Sequence, residues 1–120
     1  MKPETKDWLR IADHDIGAAA SLLADGYLQG AAFFCQQAVE KLLKAKLTEQ
    51  AVDFPKTHDL AELADLADLK TTVAHRVLLA RLSDHAVESR YPGADYNEGE
   101  IRALFDETKD IFEWLRAQLS

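Results

Sequence analysis

A chain of 120 residues, 48% apolar and 29% charged, is sized for one domain with a single core, spanning residues 1–120. A formal charge of −7 excludes a broad basic face for nucleic acid, so any phosphate contact must come from a few placed cations among Lys41, Lys44, Lys46, Lys56, Arg81 and Arg90. The single cysteine, Cys35, excludes an internal disulfide, and the lack of a signal-like or membrane-length apolar run predicts a soluble cytoplasmic protein.

The first element is a helix whose apolar stripe runs through Trp8, Ile11, Ala12, Ile16, Ala19, Leu22 and Leu23, stopped by Asp25-Gly26. A second stripe follows through Leu28, Ala31, Ala32, Cys35, Ala38, Val39, Leu42, Leu43 and Leu47. Phe33 and Phe34 widen its apolar face, which predicts a central helix covered on more than one side. Gln36, Gln37, Glu40, Lys41 and Lys44 share roughly one side of it. That side reads either as a solvated face with Glu40 and Lys44 as an i,i+4 pair or as a polar motif.

Asp53-Phe54-Pro55-Lys56-Thr57-His58 reads as a loop. Asp59 followed by Glu62 is a capping box for a short third helix carrying Leu60, Leu63, Leu66 and Leu69, with Thr57 as the competing cap. A fourth helix begins near Thr71 or Thr72 and carries Val73, Val77, Leu78, Leu82 and Val87. Pro92-Gly93 then stops helix formation, because proline lacks the N–H donor and glycine tolerates angles that other residues resist. Asn97 with Glu100 caps the last helix, with stripe residues Ile101, Leu104, Phe105, Thr108, Ile111, Phe112, Leu115 and Leu119. No segment alternates with the period of a strand. The expected architecture is an all-α, up-and-down bundle of four long helices plus one short helix.

The most informative segment lies between the last two helices, at Arg90-Tyr91-Pro92. A guanidinium beside Tyr91 and Tyr96, on a turn held by helices, suits a phosphate or nucleotide. The alternative is that Arg90 caps helix carbonyls and Tyr91 packs. His14, His58, His75 and His85 lack the spacing of a metal site, and no phosphate-binding glycine loop or nucleophile elbow occurs, so neither metal nor cofactor is expected.

The order of the Trp8 helix, Gln36-Gln37-Ala38-Val39-Glu40-Lys41, Thr57-His58-Asp59-Leu60 and Arg90-Tyr91-Pro92 resembles the HEPN domain family from about Trp8 to Leu115. The resemblance implies a helical bundle that dimerises through its polar motif. It also implies pairing with a minimal nucleotidyltransferase in a toxin–antitoxin-like complex. Many HEPN proteins are metal-independent ribonucleases carrying an Arg, four to six residues, then His. Here the positions after Arg90 hold Asp95, Tyr96 and Asn97, and Arg81 is separated from His85 by only three residues. The Arg-Tyr-Pro branch therefore fits better, which implies a non-catalytic subunit recognising nucleotide or RNA phosphate groups through Arg90, Tyr91, Lys41, Tyr96 and His58. One alternative is a metal-independent endoribonuclease with a degenerate motif drawn from Arg81, His85 and Arg90. A module that serves only dimerisation is the other.

Overall fold

Several helix ends lie where local chemistry supplies partners for the orphan backbone groups. The computed structural model describes residues 1–88 and 95–119, the side chains of residues 86–88 excepted. Its helices are α1 (Pro3–Ala24), α2 (Leu28–Glu49), α3 (Leu60–Leu66), α4 (Val73–Glu88) and α5 (Glu98–Ala117), with no strand among the described residues. Pro3 opens α1, where its missing N–H costs nothing. Glu49, at the far end of α2, accepts the Lys2 backbone N–H at 3.0 Å and the Thr5 hydroxyl at 2.9 Å. The start of the chain is thereby tied to the end of the second helix.

α1 closes in a Schellman arrangement: Gly26 N–H donates to Leu23 O at 3.1 Å and Tyr27 N–H to Leu22 O at 2.8 Å, with Gly26 at φ 82°. α2 and α3 end the same way, with Ala51 (φ 58°) and Asp68 (φ 55°) in the left-handed position. Both expected capping boxes place their acceptors as read from the sequence. Asp59 accepts Glu62 N–H, and Asn97 accepts Glu100 N–H. Thr57 does not displace Asp59 as the cap; its hydroxyl accepts the Asp59 N–H at 3.1 Å. α4 has a reciprocal cap in which Thr72 Oγ1 accepts the His75 N–H and His75 Nδ1 accepts the Thr72 N–H.

α2 is the central element and packs against every other helix. Its antiparallel partner α1 lies close because the buried residues between them are small: Ala12 and Ala19 on one helix, Ala31, Ala38 and Ala45 on the other. Leu42, Leu43 and Leu47 of α2, Leu60 and Leu63 of α3, Leu79 and Leu82 of α4 and Leu104 of α5 complete the core. Cys35 lies inside it as expected.

Four residues assigned to apolar stripes lie on the surface instead: Ile11 (41% exposed), Leu66 (40%), Val73 (81%) and Val77 (55%). In α4 the run Val77-Leu78-Leu79 offers two registers for one stripe, and the helix buries Leu78, Leu79 and Leu82 rather than Val73 and Val77. Leu66 is the last residue of a single short helix and overhangs its packing face. Ile11 is adjacent in sequence to the buried Ala12 and so points to a different side of α1.

Candidate functional site

The polar side of α2 is not a solvated face. Gln36 is fully buried and Glu40 is 2% exposed. A buried carboxylate survives only if its lone pairs are matched by donors, and here donors arrive from two elements. Glu40 Oε1 lies 2.9 Å from Gln36 Nε2 and 3.0 Å from His58 Nδ1. Glu40 Oε2 lies 3.1 Å from Lys44 Nζ and 3.7 Å from Lys41 Nζ. Gln37 donates to Gln36 Oε1 at 2.6 Å, which turns the Gln36 amide so that its NH₂ faces the carboxylate.

His58 reaches Glu40 because the loop before α3 is fixed on both sides. Phe54 packs edge-on against Trp8, with ring centroids 6.4 Å apart. Beyond His58, Leu60 N–H donates to Ser83 Oγ at 3.1 Å, and Ser83 in turn donates to Leu79 O. This places the His58 segment against the C-terminal half of α4. Burial opposes ionisation of Glu40, but hydrogen bonds from His58, Gln36 and Lys44, with the charge of Lys44, outweigh it. They hold the carboxyl below the usual glutamate value.

Aromatic rings complete the cluster. Lys41 and Lys44 place their ammonium groups 5.8 and 5.7 Å from the Trp8 ring centre, and Lys44 lies 5.9 Å from that of Phe54. Lys44 is the closer partner of Glu40, so one carboxylate balances one ammonium and Lys41 supplies a surplus positive charge. Both lysines remain partly open to solvent.

The other sequence-derived candidates fall elsewhere or outside the described residues. Lys41 and His58 meet on Glu40. Tyr96 instead faces His85, with ring centroids 6.1 Å apart and ring planes inclined by 30°. The Arg81 guanidinium binds Glu107 of α5 at 2.7 Å, beside a cavity of about 410 Å³ lined by Val77, Leu78, Arg81, Glu107 and Ile111. Arg81 and His85 thus engage different partners. Lys46 donates to Gln118 O at 2.7 Å and ties α2 to the end of α5, while Lys56 is exposed. Arg90, Tyr91, Pro92 and Gly93 lie outside the described residues. Sequence reasoning grouped Gln36 and Glu40 in a polar motif on α2 but did not name them, or Trp8, as binding residues. The signal was the glutamate placed i,i+4 to both Gln36 and Lys44.

Among the described residues no group of three or more His, Cys, Asp or Glu side chains is arranged to hold a metal ion. Burial pushes the Cys35 thiol up to about 12, only partly opposed by a hydrogen bond with Thr108, so it stays protonated and is no nucleophile near neutral pH. No helix of the described residues is long and apolar enough to cross a membrane.

Two solved structures share this fold across the whole chain. An archaeal HEPN homologue, ST0689, superposes with a TM-score of 0.82 at 24% identity, covering 100% of both chains. TT1696 from Thermus thermophilus superposes with a TM-score of 0.83 at 23% identity, covering 98% of this chain and 100% of the other. At these identities the agreement concerns the fold. No curated protein matches the chain. The HEPN domain model matches residues 5–118, nearly the whole sequence, and with the five-helix bundle just described this places the chain in the HEPN domain family.

Proposed function

We propose that this HEPN chain is a non-catalytic subunit that recognises phosphate groups of a nucleotide or RNA. It works as a homodimer paired with a minimal nucleotidyltransferase in a toxin–antitoxin-like complex. The observation that carries this reading is the convergence of Lys41, Lys44 and His58 on the buried Glu40, with surplus positive charge beside Trp8. In a chain of net charge −7, such a locally cationic, aromatic-lined cluster suits a small anion better than a long nucleic-acid track. Arg90, Tyr91 and Tyr96 are the further contributors that the sequence suggests. The absence of histidine at residues 95 to 97 favours recognition over cleavage.

Isothermal titration of the purified chain with nucleotides, and separately with a minimal nucleotidyltransferase if one is encoded beside it, tests this. Expected are binding that weakens with added salt and a loss of nucleotide affinity of about tenfold in Lys41→Ala and Arg90→Ala, the scale of one charge-assisted contact. No binding to either titrant at millimolar concentration would overturn the proposal.

A further inference from the structure

Glu40 is too deep to meet a ligand, but what it does to His58 reaches the surface. An ionised carboxylate only accepts hydrogen bonds, so the His58 Nδ1 lying 3.0 Å from Glu40 Oε1 must carry the proton. A neutral imidazole has one N–H, and its Nε2 then holds a lone pair. For the neutral ring, the arrangement around Glu40 places the proton on Nδ1. Gln36 turns its NH₂ to the same oxygen because its own carbonyl is taken by Gln37, and Lys44 donates to the other oxygen. The His58 side chain is 52% exposed, so the ring is not enclosed by its contact with Glu40.

The lysines of this cluster can only donate, and they suit an anion. A bare phosphate offers nothing to an imidazole lone pair. A phosphate with a hydroxyl beside it does, because the hydroxyl donates to Nε2 while the phosphate oxygens accept from the ammonium groups.

We infer that Glu40 acts as a positioning residue that fixes His58 with Nε2 as an acceptor, and that His58 thereby makes the site select a phosphate carrying a neighbouring hydroxyl, such as a ribonucleotide 3′-phosphate, over the same phosphate without it. This rests on the phosphate reading proposed above and adds to it a specificity-determining residue outside the Arg-Tyr-Pro sequence.

The probes are adenosine 3′-monophosphate and its 2′-deoxy counterpart, titrated at pH 8 into wild type and His58→Asn. The asparagine amide keeps a donor for Glu40 near the Nδ1 position but has nothing at Nε2, so the buried carboxylate stays satisfied. Wild type is expected to prefer the ribonucleotide by about three- to tenfold, the scale of one hydrogen bond. His58→Asn should bind both compounds at the deoxy level. Nitrogen-15 spectra of the free wild-type protein should show the Nδ1–H tautomer, a readout independent of ligand. Equal affinities in wild type with binding intact, a preference retained in His58→Asn, or an Nε2–H tautomer would each overturn the inference and leave the phosphate reading standing. Absence of binding by either compound would remove both.

Discussion

Two glutamates on neighbouring helices each hold a cation, and their surroundings give them opposite roles. Glu40 of α2 is 2% exposed and is matched by Gln36, Lys44 and His58. Glu107 of α5 is 49% exposed and pairs with Arg81 across the cavity between α4 and α5. Around Glu107 water can replace the guanidinium at little cost. Around Glu40 it cannot, because protein donors occupy the places water would take. A charge in the second setting organises its neighbours, whereas one in the first only decorates a surface.

The largest effect that would break this contrast is expected from Glu40→Ala. Removing the carboxylate leaves Gln36 without its buried partner and both lysines beside apolar surface, so urea unfolding should show a loss of about 3–5 kcal/mol, the cost of breaking a buried charge pair. A loss below about 1 kcal/mol would place Glu40 in the same class as Glu107.

A smaller effect should appear in the pH dependence. The folded-state value of Glu40 is depressed below the ordinary 4.5, so its contribution to stability is complete above that pH and is lost as pH falls through the lower folded value. Wild type should therefore lose stability below about pH 4.5 more steeply than Glu40→Gln, which has no carboxyl to protonate. Parallel acid-unfolding curves would show that the hydrogen bonds to Glu40 do not favour its charged form.

The smallest effect is expected from Arg81→Ala. Its ion pair with Glu107 is exposed on both sides, and such pairs contribute about 0.2–1 kcal/mol. Thermal unfolding of this variant should stay close to wild type. A loss comparable to that of Glu40→Ala would mean that the α4–α5 cavity carries weight the contact does not reveal.

The same contrast explains what was legible in the sequence. Helical periodicity exposes a face that is apolar throughout, and caps such as Asp59 and Asn97 are local, so the bundle could be read almost element by element. Glu40 and Gln36 sit among Gln37, Lys41 and Lys44, and a one-dimensional pattern cannot separate a polar side chain sunk beneath a loop from one in water. The partner that settles the matter, His58, is 18 residues away and arrives through a loop. The register of α4 was legible only in part, for a related reason: Leu78 and Leu82 are buried as expected, Val73 and Val77 are not. Three consecutive apolar residues, Val77-Leu78-Leu79, leave the choice of buried side to the tertiary neighbours. Lys41 and His58 could be named as candidates through the family resemblance, but not as neighbours of one carboxylate.

The chain has two tryptophans, and they stand at different addresses: Trp8 under the ammonium groups of Lys41 and Lys44, Trp114 against the His75 ring at 4.3 Å between centroids. The protein therefore carries a native optical label in each half of the comparison. In Trp114→Phe the remaining emission reports on the Glu40 neighbourhood alone. In Trp8→Phe it reports on the start of α4. The two environments can be followed separately by light without attaching any dye.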